Sequence, residues 1–483
     1  MRSLFVKNSL PDISDRQGLQ LETMGQTSDF SQKRGHTKGS KTVRFGLTCP
    51  CLCPELRHEV LIMKHPLPVQ TLWWQRDDVQ YVEDELHFST HNLNTMAHEL
   101  GTPLYVYSSD RLRQNLERLH RVLDERAIAH RIFYAMKSNR YAPLLTYLKL
   151  TGLCGIDACS PQEVRQARQV GFLPSEISFT GTALSNADLD ELARSPDLII
   201  NCDSLSSLRR LGDRCPGRAI GLRINPGLGL GYRTNPHLRY AGTKPTKFGI
   251  YPEQWEEALA LAHRYGLQIQ GLHVHAGCGY LTPQLDTWSA ILQRCQNILD
   301  RLPSVSYINL GGGLGIPLVA DDAPLDLERW ADIVAEQLGD RPQQIYLEPG
   351  DYIAKDAGIL ILQTTMVEQK QDTWFVGMNG GFNLHIEPAF YHLPLEPVPA
   401  RRRRSQPDWP ARVTVTGNIN EALDCWAEDV VLSPIQEGDY LCFLNAGGYG
   451  ASMSSNHCMR GQFTEVLLPP ASPTDHGYQL PCV

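Results

Sequence analysis

Short apolar runs alternate with amphipathic stretches from about residue 104 to residue 350. Eight of the runs predict strands, at 131–135, 153–157, 177–180, 198–202, 219–224, 269–274, 305–310 and 344–348. The intervening stretches carry the helical period: Leu112, Leu116, Leu119 and Leu123 recur within 109–125 and form one buried stripe. Ser160-Pro161-Gln162-Glu163 predicts a helix start, with a capping serine, a proline at the first helical position and an acid three residues past the cap. Gly171 marks where that helix stops. Eight strands separated by helices in roughly 250 residues is the arithmetic of a (β/α)8 barrel.

The pattern changes on both sides of this region. Residues 64–100 and 352–470 are rich in strand formers and turn residues, with Val413–Thr416 and Asp439–Leu444 as predicted strands. The expected architecture is α/β: a barrel at 104–350 and a second, β-rich domain assembled from 63–103 and 351–483. Residues 1–62 are polar, lack apolar periodicity and contain no apolar signal segment, and are read as a disordered extension or as sequence upstream of a start at Met63.

Composition narrows the function classes. At 483 residues, 42% hydrophobic and 20% charged, the chain suits two globular domains. A net charge of -8 argues against a nucleic-acid surface, and the one basic run, Arg401 to Arg404, lies among prolines and reads as a solvated loop. Thirteen irregularly spaced cysteines fit reduced thiols in a cytoplasmic enzyme. Cys49, Cys51 and Cys53 lack a second pair to complete a metal site, and no apolar run reaches the ~18 residues of a membrane span.

Reactive groups of such barrels sit at the carboxyl ends of the strands. Lys137, in Phe-Tyr-Ala-Met-Lys-Ser-Asn at 133–139, follows the first strand; His275 follows the sixth; Gly311-Gly312-Gly313-Leu314-Gly315 follows the seventh; Glu348-Pro349-Gly350 follows the eighth. Taken singly, Lys137 reads as a solvated loop cation, His275 as a packed histidine and Glu348 as a helix-start acid. Together they match the needs of pyridoxal phosphate: a lysine for the Schiff base, a ring to stack, backbone N–H groups for the phosphate and a carboxylate for the pyridine nitrogen.

The chain resembles the fold-type III pyridoxal phosphate decarboxylases, the diaminopimelate, ornithine and arginine decarboxylase group with an alanine racemase-like fold, and within it the diaminopimelate branch. The resemblance spans roughly 70–470 and is carried by residues 101–107, the segment around Lys137, Gly-Ile-Asp-Ala-Cys-Ser-Pro-Gln-Glu at 155–163, 247–250, 271–279, 309–315, 348–350, Pro-Ala-Phe-Tyr at 388–391 and 445–456. It implies that Lys137 holds the cofactor covalently, that His275 stacks on its ring, and that Gly312, Gly313 and Cys278 lie by the phosphate. It also implies that Glu348 and Gly350 face the ring, that Tyr449 serves cofactor and substrate, and that Tyr391 lies in the substrate set. Group members are homodimers with shared active sites, so Asn420, Glu421 and Asp424 are expected to reach the partner's site.

Four positions depart from the family, the mildest being Cys278 where it commonly has a serine beside the phosphate. Its two arginines for the distal substrate carboxylate are replaced by Asp351 and Glu387. A carboxylate about 4 Å from either acid would be disfavoured by roughly 4 kcal/mol at an effective dielectric near 20. The expected substrate is therefore a diamino acid with a distal ammonium, D-lysine or D-ornithine by analogy with the branch's D-configured centre, giving a diamine and carbon dioxide. Diaminopimelate and a non-catalytic regulatory role are the alternatives, and Asp351 and Glu387 could instead pair with a nearby base such as Lys355. Asn420 stands where the family has a protonating cysteine, which leaves Tyr449, His275, Lys137, water or Cys425 for that step.

Overall fold

The computed structural model describes residues 72–471, apart from 233, 234, 236, 237, 243, 303 and 404–407; the readings made for residues 1–62 lie outside the described residues. The eight predicted strands all form: β1 (His130–Ala135), β2 (Gly155–Ala158), β3 (Ile177–Phe179), β4 (Ile199–Cys202), β5 (Ala219–Ile224), β6 (Gln268–Val274), β7 (Tyr307–Asn309) and β8 (Gln344–Leu347). They close into a parallel barrel in sequence order, with β8 paired to β1. The helix Ser109–Asp124 buries Leu112, Leu116, Leu119 and Leu123, as its period requires. The helix Pro161–Gln169 is capped by Ser160, whose side chain accepts from Glu163 N; the Glu163 carboxylate reaches back to Cys159 N instead of the cap residue's own N–H.

The barrel interior is layered. Phe133, Tyr307 and Tyr346 form an aromatic plug, Tyr307 and Tyr346 stacking at 4.4 Å between ring centroids. Gly271 leaves the room, since a Cβ there would lie 2.0 Å from the Tyr307 ring. Because side chains alternate along a strand, the residues two positions further on point inward one layer higher. Asn309 follows Tyr307 and Glu348 follows Tyr346 in this way, so a polar layer rests on the aromatic one.

A β-rich sheet is built from segments that lie on both sides of the barrel in the sequence. Its long central strand, Gly358–Lys370, pairs with Thr373–Met378, Tyr440–Phe443 and Leu104–Ser108, and Thr464–Leu468 pairs in parallel with Leu104–Ser108. The last strand corrects the expected boundary at residue 104. Leu104–Ser108 is buried on both faces, so its unbroken apolar pattern is indistinguishable from that of a barrel strand until its partners are known. The basic run is also more than a solvated loop: Arg401, Arg402 and Arg403 lie 3.5, 3.7 and 2.7 Å from Glu85, Asp84 and Asp439.

Candidate active site

A cavity of about 250 Å³ opens at the carboxyl ends of the barrel strands, lined among others by Lys137, Asp157, Arg223, Tyr240, His275 and Glu348. Lys137 lies one residue beyond Met136, whose N–H bonds Asp157 O, and the following loop is clamped to the second domain. Tyr449 N donates to Ser138 O at 2.7 Å, Asn139 Nδ2 to Gly447 O at 2.9 Å, and Ser452 Oγ to Ser138 O at 2.9 Å. The glycines of 445–450 make this contact possible, because a Cβ at Gly447 would sit 1.9 Å from Ala354 O and one at Gly448 2.6 Å from Ser138 Oγ. Burial pulls the Lys137 ammonium toward neutrality, but the Asp157 carboxylate and Tyr240 outweigh it and hold its pKa above the ordinary lysine value.

Glu348 is held by three inward-facing neighbours. Ser178 Oγ donates to Oε1 at 2.7 Å, Asn309 Nδ2 donates to the same oxygen at 2.6 Å, and His273 Nε2 lies 3.2 Å from Oε2. Burial alone would raise this carboxyl; the His273 contact and the two hydrogen bonds more than reverse that and keep it well below the usual carboxylate range. Behind it, Asn201 Nδ2 donates to Ser178 Oγ and Thr180 Oγ1, and Tyr307 donates to Asn201 Oδ1 at 3.1 Å. The result is a buried, ionised carboxylate of fixed orientation.

His275 has its Nδ1 3.3 Å from Gly312 N, which donates to it, and its ring meets Tyr240 edge-on at 4.5 Å. Burial, then the charges of Arg223 and Lys137, push its pKa well below the ordinary histidine value, so the ring is neutral. The glycine loop packs backbone to backbone: a Cβ at Gly312 would lie 2.2 Å from Glu348 O and one at Gly313 2.0 Å from Gly277 O. Gly313 also has a φ of 94°, where side chains are strained. Gly350 begins the turn after β8, within 3.1 Å of the Tyr449 hydroxyl if a Cβ is added.

The two acids that replace the family's arginines converge on Lys355. Its side chain is fully buried, with Nζ 2.8 Å from Glu387 Oε1 and 3.5 Å from Asp351 Oδ1. Tyr232 donates to Asp351 Oδ2 at 2.7 Å, and His385 Nε2 lies 3.1 Å from Glu387 Oε2. Asp351 and Glu387 pair with Lys355, as the alternative reading allowed, and two acids against one base leave the set with a negative formal charge. Tyr391 closes the π-helical turn Glu387–Tyr391 nearby.

Other expected residues lie elsewhere. Asp424 braces its loop, accepting from Phe382 N at 2.7 Å and Ile419 N at 2.6 Å. The Cys425 thiol donates to Val415 O and the Cys278 thiol to Leu238 O. Asn420 and Glu421 are exposed, Glu421 Oε1 lying 3.4 Å from His457 Nε2. Sequence reasoning missed Asp157, Ser178, Arg223, His273 and Asn309. Each is a polar residue inside an apolar strand run, and that was the available signal.

The donor set fits pyridoxal phosphate: a cationic lysine, a neutral ring, glycines that bring backbone to an anion, and an ionised acid that would hold a pyridinium. These features define a pyridoxal phosphate-binding barrel enzyme. Residues 110–355 match the family described as the pyridoxal binding domain of the pyridoxal-dependent decarboxylases. The chain is 33% identical over 386 residues to a diaminopimelate decarboxylase of Methanothermobacter thermautotrophicus, covering 77% of this chain and 88% of that one. It is 30% identical over 402 residues to the diaminopimelate decarboxylase of Aquifex aeolicus, covering 81% and 92%. A solved structure of an Aquifex aeolicus protein is similar at a TM-score of 0.72 and 27% identity, covering 81% and 92%. The fold alone is shared with a diaminopimelate decarboxylase from M. jannaschii in complex with L-lysine, at a TM-score of 0.73 and 24% identity over 81% and 93% of the two chains. The chain belongs to the pyridoxal-dependent decarboxylases; it is a carboxy-lyase whose cofactor is pyridoxal phosphate. Among the described residues no helix is long and apolar enough to cross a membrane, and no group of three or more histidine, cysteine, aspartate or glutamate side chains could hold a metal ion.

Proposed function

We propose that the protein decarboxylates a basic diamino acid, D-lysine or D-ornithine in preference to one with a distal carboxylate, to a diamine and carbon dioxide. The observation that carries the substrate class is the buried set Asp351, Glu387 and Lys355, two acids and one base with no arginine fork among them. Its formal charge is negative, which favours an ammonium and disfavours a carboxylate. The D configuration rests on analogy with the diaminopimelate branch.

Lys137 holds the cofactor, the glycine loop and His275 position it, and Glu348 keeps its ring nitrogen protonated. When bound, the cofactor supplies an electron sink for the pair left behind by carbon dioxide. Lys137 Nζ, held protonated beside Asp157, can return a proton to the product carbon. The exposed loop with Asn420 and Glu421 completes the site of a second copy in a homodimer, by the family's pattern.

Meso-diaminopimelate is the second reading. It is favoured by the names of the relatives and by Lys355, which offsets one of the two acidic charges. Carbon dioxide release separates the two. A kcat/KM at least tenfold higher for D-lysine or D-ornithine than for meso-diaminopimelate supports the proposal; the reverse order overturns it in favour of the second reading.

A further inference from the structure

Tyr240 lines the cavity from the loop between β5 and the helix Trp255–Arg264. Thr246 Oγ1 donates to Tyr240 O at 2.7 Å, and Asn225, buried just past β5, donates through Nδ2 to Thr246 Oγ1 at 3.2 Å and to Phe248 O at 2.8 Å. The Tyr240 ring lies 4.8 Å from the Phe248 ring and meets His275 edge-on at 4.5 Å. Backbone and ring are thus both held, while the hydroxyl makes no hydrogen bond among the described residues. Its oxygen lies within electrostatic reach of Lys137, Arg223 and Tyr449, which places it toward the side of the cavity where Lys137 emerges.

The other ionisable groups here are poor acids for the carbon that loses carbon dioxide. Burial would loosen the Lys137 proton, but Asp157 outweighs it and holds that ammonium above the ordinary lysine value, with Asp157 itself engaged as the counter-charge. Burial keeps His275 neutral, with Nδ1 accepting from Gly312 N, and His273 is turned to Glu348. Burial, then the Glu163 carboxylate, pushes the Cys159 thiol up to about 12, and that thiol donates to Glu163 Oε2 at 3.2 Å. Burial likewise raises the Tyr449 hydroxyl well above its ordinary value. Asn420, on its exposed loop, has no ionisable proton to give.

We propose that Tyr240 is a further catalytic residue, whose hydroxyl, in place of Lys137, returns the proton to the α-carbon of the product. The inference rests on the reading of the site as that of an amino-acid decarboxylase. The Tyr240 O–H bond breaks as the new C–H bond forms from the electron pair left by carbon dioxide. The phenolate so produced has the Lys137 cation as its counter-charge until water restores the proton. The two ring contacts serve this step by holding the hydroxyl in one place through the turnover.

The test is Tyr240→Phe in the full chain, a variant that keeps both ring contacts and loses only the hydroxyl. Three quantities are measured: the dissociation constant for pyridoxal phosphate by fluorescence quenching, kcat for carbon dioxide release, and the fraction of product recovered as aldehyde instead of amine. An α-carbon deprived of its donor leaves the proton to be taken up at the cofactor carbon, after which hydrolysis gives an aldehyde and pyridoxamine phosphate. The proposal predicts cofactor affinity within threefold of wild type, kcat lower by about 10² and an aldehyde fraction raised tenfold or more. Wild-type kcat and aldehyde fraction in the folded variant overturn it and leave the proton to Lys137. A tenfold loss of cofactor affinity with an unchanged aldehyde fraction also overturns it, making Tyr240 a wall of the cofactor site. Should the wild-type chain release no carbon dioxide from any amino acid offered, the reading of the site itself falls, a result distinct from failure of the Tyr240 assignment alone.

Discussion

Replacing Lys355 with methionine probes a buried set of closely spaced charges. The wild-type ammonium is fully buried, 2.8 Å from Glu387 and 3.5 Å from Asp351. Burial would neutralise it, but the two acids outweigh burial and keep its pKa above the ordinary lysine value; Lys355 and His385 likewise keep Glu387 below its ordinary value against burial. The variant keeps both carboxylates and loses the cation between them. Breaking a buried pair by deleting one partner costs about 3–5 kcal/mol. The Coulomb estimate agrees, since one contact near 4 Å is worth about 4 kcal/mol at an effective dielectric near 20. The sign with pH follows from the two shifts. The raised lysine contributes below its unfolded pKa and is lost as pH rises through its folded one; the depressed glutamate contributes above its unfolded pKa and is lost as pH falls through its folded one. The destabilisation is therefore greatest between about pH 6 and 9 and shrinks toward acid, where a stranded carboxylate takes up a proton. Urea unfolding followed by tryptophan fluorescence measures it at pH 5, 7.5 and 9. Adding Glu387→Gln should recover part of the loss. A destabilisation under about 1 kcal/mol at pH 7.5, or one of equal size at pH 5, would refute the reasoning.

Glu348→Gln retains the hydrogen bonds from Ser178 or Asn309 but lacks the charge, so cofactor binding should persist while kcat falls by about 10²–10³, read by steady-state carbon dioxide release. Gly313→Ala places a Cβ 2.0 Å from Gly277 O at a φ of 94° and should weaken pyridoxal phosphate binding, measured by equilibrium dialysis; unchanged affinity contradicts the phosphate assignment. Asp424→Ala removes two backbone bonds of 2.7 and 2.6 Å and should lower stability by about 2–4 kcal/mol with KM little changed at permissive temperature; a raised KM with intact stability would instead give it a role in the site.

The barrel was legible because each strand is an apolar run and each helix a stripe, two periods that do not imitate one another. Lys137, His275, the glycine loop and Glu348 were legible for a related reason: they follow strand ends, and a barrel gathers its strand ends on one face. The polar layer beneath them was not. Ser178, Asn201, His273 and Asn309 are single polar residues within apolar runs, and whether each points inward depends on strand register, which the sequence leaves open. Asp351 and Lys355 are four residues apart on one turn, so their pairing could be anticipated; Glu387 joins them only through the tertiary fold. Leu104–Ser108 misled for the converse reason, having a barrel strand's pattern and a different sheet's partners.

The central claim is that Lys137 carries the cofactor. Reducing the pyridoxal phosphate-loaded protein with borohydride and mapping its peptides by mass spectrometry tests it directly. The account predicts a phosphopyridoxyl group on the peptide containing Lys137 and loss of that label, of visible absorbance and of carbon dioxide release in Lys137→Ala. Labelling of Lys355 or Lys247 in place of Lys137, or turnover retained by the variant, would contradict it.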